Sequence, residues 1–580
     1  MPAIKLTGFI GEQPQIVPRL LPDTAAQEAY DARLDDGGLT PMRVSAKIAD
    51  AGIADPKTFL RFDGAWLAFS SVVHAAPGPV AQSRLYYTGD GVPKMRVNDL
   101  VYPLAVPAPT AALTGTISGT GTGDAATRVY VYTWVTDYGE ESEPSPASAD
   151  VTWKASQTVT LSGFEAAPTG RNITKQRVYR SQTGQVGTYL YFIAERDVTT
   201  DDFIDNVAVN SFQEPLPSAD WNAPPDGLSG LVSLPNGMMA AFVGRDLYFC
   251  EQWRPHAWPE KYVLTLDYEI VGLGAIGTAL IVMTTGQPYY VSGNHPGAMA
   301  SVKIEQNLPC INARGIVDLG FAICYPSYDG LVRVDASGGA AVVTANLFNR
   351  DKWLKLSPGT AVAAQVTGRY VLFYDTIDAD ANVFAGALFI DVGGTPYLIR
   401  STDRVTAAWY DLSSTALYAV RRGTGDIYEI DPSTGALKTY YWRSKQFMLP
   451  APHNFGAILI DSDAALTEEE VAKLQAQYDA ALAANRVLIE AGPIDGEMNS
   501  HPINSHTLNG DILAPLPNTD AGIEVSVIAD GVIRATRTVA NKALRLPSGF
   551  TARKWEIAAK GRVTITQITM ASTIADLQNS

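Results

Sequence analysis

The chain reads as a mainly β protein: a β-propeller, a sandwich domain inserted into it, and a C-terminal β-rich platform domain that carries one helix. Three observations predict this. Seven segments share one pattern, in which a β-rich run, a Gly or Asp turn and an alternating strand follow one another. Recurrence of such hairpins every few tens of residues is how propeller blades show themselves in a sequence. The composition agrees: 49 glycines and 36 prolines accompany 26 tyrosines and 10 tryptophans, with only 18% charged residues, which favours turn-rich β structure over helix. Finally, the pattern is interrupted between Pro107 and Pro217 and changes again after residue 440.

Residues 1–57 are expected to form an N-terminal arm or part of the platform. The first propeller hairpins lie in 58–106, as "FLRFDGAWLAFS" and "SRLYYTGDGVPK". Residues 107–217 open on a linker-like Gly/Thr/Pro stretch, after which Val129, Val131 and Thr133 alternate with Tyr130, Tyr132 and Trp134. A hairpin "KQRVYRSQTGQVGTYLYFIAE" follows, and the segment has the length of a fibronectin III or immunoglobulin-like sandwich.

The remaining blades occupy 225–440. In "DGLVRVDASGG" and "GDIYEIDPSTG", Asp329-Gly330 and Gly425-Asp426 are read as tight turns, with Val332, Val334, Ile427 and Ile430 at buried positions. A β-sandwich of meanders is the alternative to a propeller. Residues 441–580 form the platform, with a helix over 467–490. Thr467 and Glu470 make a capping box there, and Val471, Leu474, Tyr478 and Leu482 share one face. That face would meet a partner subunit or cover a sheet edge. The polar stretch Gly492 to Asn518 is too long for an ordinary connector and is a candidate binding or pore-facing loop.

Few residues point to catalysis. Gly272, Gly274 and Gly277 spell G-x-G-x-x-G, but a dinucleotide site needs a helix after the third glycine. A strand-like run follows, so the glycines are expected to shape a hairpin. Among six histidines, His501 and His506 lack a neighbouring cluster of metal ligands, and His256 lies in "EQWRPHAWPEKY", where Trp and Pro neighbours favour packing. Asp378, Asp380 and Asn382 alternate as in a calcium loop, but Val383 and Phe389 stand where Gly and Glu are required. "SYDGLVRV" departs from a sialidase Asp-box by a shifted Gly and by Val334 in place of Trp. Without a secretory signal, the Asn172 sequon carries no weight. No residue is therefore assigned a catalytic, cofactor-binding or metal-binding role, and no cofactor is expected.

Lys and Arg total 44 against 60 Asp and Glu, a net charge of −16. Affinity for nucleic acid comes mainly from cationic side chains releasing counterions, so nucleic acid should pass such a chain without sticking. Three cysteines, an N-terminus unlike a signal peptide and no apolar run of membrane-spanning length fit synthesis in a cytoplasm.

The opening stretch "LTGFIGEQPQIVPRLLPDTAAQEAYDARLDDGGLTPMR" resembles that of the tail nozzle, or tail tubular protein B, family of short-tailed bacteriophages, including its G-x-L-x-P-x-R phrase at Gly38, Leu39, Pro41 and Arg43. "RLYYTGDGVPKM", "EQWRPHAWPEKY" and the closing "RLPSGFTARKWEIAAKGRVTITQITMAST" follow in the same order. The resemblance implies a structural virion protein without enzymatic activity. Six copies would form a tube below the adaptor, the head-to-tail connector ring, with tail fibres or spikes attached. Double-stranded DNA would be retained in it and then conducted through it without sequence-specific binding. From its length and polarity, the Gly492–Asn518 loop is a candidate for the gate of such a tube. Two other readings stay open: a receptor-binding or fibre-adaptor protein using Trp134 or Trp153 as aromatic platforms, and a glycan hydrolase.

Overall fold

A computed structural model describes residues 3–184, 187–209, 211, 213–377, 383–463, 468–490 and 522–577. The seven hairpins read from the sequence fall in seven different sheets. A two-stranded sheet (Thr58–Phe62, Ala65–Phe69) is followed by four-stranded sheets over 74–103, 229–265, 270–303 and 317–342. The sixth unit spans 362–401, and the seventh comprises Val405–Asp411, Ala416–Arg421 and Asp426–Ile430. From 74 onward the first strand of each sheet adjoins the first strand of the next, and that of the seventh adjoins Thr58–Phe62. Leu60, Val73, Leu85 and Tyr87 pack the two-stranded sheet against its successor. The arrangement is a β-propeller.

Its closing strand comes from the N-terminal arm. Ala46–Asp50 pairs antiparallel with Asp426–Ile430 and completes the seventh sheet. Gly425 is shaped by that strand: a Cβ there would lie 2.9 Å from Asp50 Oδ1 and from the Ile53 carbonyl oxygen. The left-handed residue of this turn is Gly423, with φ +80°, so the turn read at Gly425-Asp426 belongs two residues earlier. In the fifth sheet Ser327 pairs with Gly330, which moves that turn to Tyr328-Asp329. Val332, Val334, Ile427 and Ile430 are buried as expected.

The three glycines of the G-x-G-x-x-G phrase divide their work. Ile270–Ile276 pairs with Ala279–Thr284, and only Gly277, with φ +58°, sits in the intervening turn. Gly272 and Gly274 lie inside the first strand. A Cβ on Gly274 would meet Ile323 Cδ1 and Cγ1 at 2.8 Å, and one on Gly272 would press on Ile316. These two glycines let adjacent blades approach at the propeller axis, a role the hairpin reading had not distinguished.

The insert is a sandwich of short sheets: Thr114–Ser118 with Thr158–Ser162 and Phe203–Asp205, Thr122–Arg128 with Val151–Ala155, and Tyr130–Thr136 with Ile173–Gly184 and Gly187–Asp197. Tyr130, Tyr132 and Trp134 turn inward onto Val159, Leu161 and Val178.

Both chain ends build the platform. Ala26–Tyr30, Tyr440–Ser444, Ala552–Gly561, Ile523–Ala529 and Val532–Arg537 follow one another in a ten-stranded sheet, to which the sixth blade is joined by the parallel pairing of Tyr30 with Arg400. Ile4–Leu6 pairs with Ile565–Ala571 in a second sheet. One apolar core runs from Phe9, Trp442, Trp555 and Ile568 to Val371 and Leu417 of the blades.

Glu468–Glu490 is the expected helix. Leu474 and Tyr478 are half-buried, while Leu482 is 48% exposed. Thr467 of the capping box, the Asp378, Asp380 and Asn382 triplet, His501 and His506, and the Gly492–Asn518 loop lie outside the described residues. Phe389 is a core residue, which supplies no carboxylate to the calcium-loop pattern.

Replacement of Gly274 by Val should lower unfolding free energy by about 1–3 kcal/mol through overpacking against Ile323, measured as a shift in denaturant midpoint. An unchanged midpoint would show that the blades do not meet there.

Candidate functional site

Three cavities bear on function. The axial one, of about 310 Å³, is lined by Ala75 to Pro77, Leu231 to Ser233, Leu273 to Ala275, Ile316, Asp318 and Ile323. Small and aliphatic residues dominate because successive first strands converge there. Arg314 reaches across from the turn before the fifth blade, and its guanidinium donates to the carbonyl oxygens of Lys57, at 3.0 Å, and Thr406. Burial lowers its pKa. Arg314 thus ties the turn before the fifth blade to the chain around the first and seventh sheets.

The second cavity, of about 320 Å³, lies where the N-terminal arm meets the last two blades. Met42, Val366, Phe389, Leu417 and Ile430 make its apolar wall. Charges at its rim are spent on one another: Arg33 clamps Asp431 at 2.5 and 2.6 Å, and Arg369 pairs with Asp35. The third is an open depression beside Arg404, Arg421 and Arg422.

A polar cluster beside the third depression, which Asp403 lines, has the elements of a nucleophile site. Ser401 Oγ donates to Asp31 at 2.7 Å and Asp403 at 2.9 Å, and Lys438 Nζ lies 2.9 Å from Ser401 Oγ. A serine activated by lysine requires that lysine to be neutral. Here Lys438 donates to Asp403 at 2.7 Å and Asp31 at 3.0 Å. Burial alone would lower its pKa, but the two carboxylates outweigh burial and raise it. The lysine stays protonated, and the cluster ties the arm, the sixth blade and the strand leading to the platform. Asp31 and Lys438 are 407 residues apart, and no local pattern marked either.

The thiols are no better placed for chemistry. Cys250, Cys310 and Cys324 are free and buried, and burial pushes each pKa up to about 12, so little thiolate exists at neutral pH. Among the described residues, no group of three or more His, Cys, Asp or Glu could hold a metal ion.

The sandwich docks on the propeller through buried polar contacts. Arg171 donates to Glu140 at 2.5 Å and to the Ala105 carbonyl oxygen at 3.3 Å. His256 Nε2 lies 3.1 Å from the Glu141 carbonyl oxygen and so carries the ring proton, leaving buried Nδ1 without a partner. Its pKa falls to about 4, chiefly because burial disfavours the imidazolium. His256 is thus a packing residue, as its neighbours suggested.

Of the two suggested aromatic platforms, Trp134 is buried and Trp153 is partly covered. Trp134 is 4% exposed and belongs to the sandwich core. Trp153 is covered by Arg128, whose guanidinium stacks 3.5 Å from the ring centre, and its Nε1 donates to the Gln157 carbonyl oxygen. A sugar stacks only on an open ring face, so buried Trp134 has a structural role, while Trp153 is partly buried with Arg128 over its ring.

No protein-family model and no curated protein matches this sequence. Similar solved structures include the Pan2 WD40 domain of Neurospora crassa, with 6% identity and a TM-score of 0.26 over 48% of this chain and 85% of that one. Another is glutaminyl cyclase of Myxococcus xanthus, with 10% identity and a TM-score of 0.18 over 44% and 85%.

Two outcomes are expected. The unfolded chain binds a proton at His256 near pH 6.5 and the folded chain only near 4, so stability should fall as pH drops through that window, by roughly 3 kcal/mol from this residue. Denaturant titrations from neutral pH to 4 should show that component missing in H256Q. Replacing Lys438 by Met should cost about 3–5 kcal/mol by leaving two buried carboxylates unpaired. The added change D403N should recover part of the loss in the same titration.

Proposed function

We propose that this chain is a structural, non-enzymatic subunit of the tail nozzle of a short-tailed bacteriophage. In this reading six copies form a tube in the virion below the adaptor ring, near the attachment of fibres or spikes, and the tube retains and then conducts double-stranded DNA. The observation carrying it is that the phrases resembling that family, far apart in sequence, meet in two places. The opening and closing phrases interleave in the platform, where Leu39 bridges to Ile565 and Ile4–Leu6 pairs with Ile565–Ala571. The two middle phrases share one core, in which Tyr86 and Met95 join Trp258. A likeness that follows packing is harder to produce by chance than one that follows composition.

The cavity of about 310 Å³ between the first strands is far too small for a duplex, so the DNA path of such a tube runs between copies. The net charge of −16 supports a wall that repels phosphate. Quantitative mass spectrometry of purified virions should find this chain at roughly half the copy number of a twelve-membered portal, as a sixfold ring requires. Absence from the particle, or a count that follows the fibres, would overturn the reading.

A further inference from the structure

We propose that Arg404, Arg421 and Arg422 form a binding site for a phosphate-type oxyanion on one face of the propeller. They line an open depression of about 410 Å³ together with Thr402 and Asp403. The chain brings them together by topology: Arg404 precedes the first strand of the seventh blade, and Arg421 and Arg422 lie at the end of its second strand, where Val405 pairs with Arg421.

One carboxylate positions two of the three. Arg404 Nη2 donates to both oxygens of Asp375 at 3.0 Å, and Arg422 Nη1 donates to Oδ2. Burial works against ionisation of Asp375, but hydrogen bonds from Arg422 and Arg404 hold its pKa below the ordinary value. Both guanidinium groups are therefore anchored through one nitrogen each, and among the described residues Asp375 is the side chain they hydrogen-bond. Arg421 makes no ion pair among the described residues and lies flat over Tyr428, 3.8 Å from the ring centre. Asp403, the carboxylate that lines the depression itself, is engaged by Lys438.

Of the three forks, two thus share one directly bonded carboxylate and the third bonds none among the described residues, in a chain whose acids outnumber its bases. A planar guanidinium offers paired N–H donors matched to tetrahedral oxyanions, and anchoring by Asp375 reduces the rotamer entropy lost on binding. Half-exposed Arg404 and Arg422 remain accessible to a ligand. The inference does not rest on the tail reading, since the depression would bind the same chemistry in any propeller of this sequence.

Calorimetric titration of the full chain with inorganic pyrophosphate at low salt tests it, with a parallel arm using a short oligothymidylate. Saturable binding is expected, weakening with added salt and falling about tenfold in R421Q, which loses charge-assisted hydrogen bonds. R421Q leaves both pairs to Asp375 in place, so it separates binding from folding. R61Q, on the first sheet, should bind as the parent does. Tighter R421Q-sensitive binding of the oligothymidylate than of pyrophosphate would assign the anion to a polymer backbone, and the reverse to a free oxyanion. No saturable binding in either arm, or equal affinity in R421Q and the parent, would overturn the proposal.

Discussion

Closure of the propeller by a strand from the other end of the chain is the constraint on which the rest of this structure depends. A ring of sheets has no stable end until the last sheet finds its fourth strand, because an open edge leaves a row of backbone groups unpaired. Ala46–Asp50 supplies that strand, and to reach it the arm must first pass through the platform. On the way Ala26–Tyr30 pairs with Tyr440–Ser444 and, at Tyr30, with Arg400 of the sixth blade. Platform and propeller are therefore joined by main-chain hydrogen bonds and by one apolar core.

Charged side chains hold this threaded arm at successive points. Glu12 receives Arg400 at 2.9 Å and the Ala29 amide at 2.9 Å, Asp31 receives Lys438, Arg33 clamps Asp431, and Arg369 reaches Asp35. Burying such groups is costly unless each finds its partner, so a register error by the arm would leave several unpaired at once. The sandwich uses the same device internally. Asp205 is enclosed by Arg128, Arg180 and Tyr130, and Glu140 links Arg171 of the sandwich toward Arg84 of the second sheet. Polar specificity is concentrated where the chain must choose among apolar surfaces that would otherwise be interchangeable.

These locks also explain why residues with catalytic-looking chemistry have structural roles here. Lys438 beside Ser401 is kept charged by the carboxylates that hold it, His256 is kept neutral by burial, and the cysteines are kept as thiols. Charge left without such a commitment lies at the surface, as in the arginine depression. A sequence scan for motifs passes over that depression because Arg404 and the Arg421-Arg422 pair form no recognised spacing, and Asp375 belongs to another blade.

The hairpins were legible from the sequence because their signals are local. Alternation of period two and turn residues such as Asp63-Gly64 act within a few residues of each other, and the joined strands follow. The helix was legible for the same reason. Turn positions shifted at Gly425 and Gly330, since each glycine answers to a neighbour outside its own hairpin: the strand at Asp50 for one, Thr344 for the other. The sequence by itself determined a mainly β chain, its hairpins, its inserted domain and its acidic charge, all of which depend on residue type and short-range order. Only the tertiary structure decided which strand closes the propeller, that Gly272 and Gly274 serve blade contact, and that Lys438, Asp31 and Asp403 meet. Strand pairing and ion pairing across hundreds of residues leave no periodicity in the chain, and arise only when the apolar faces have been buried together.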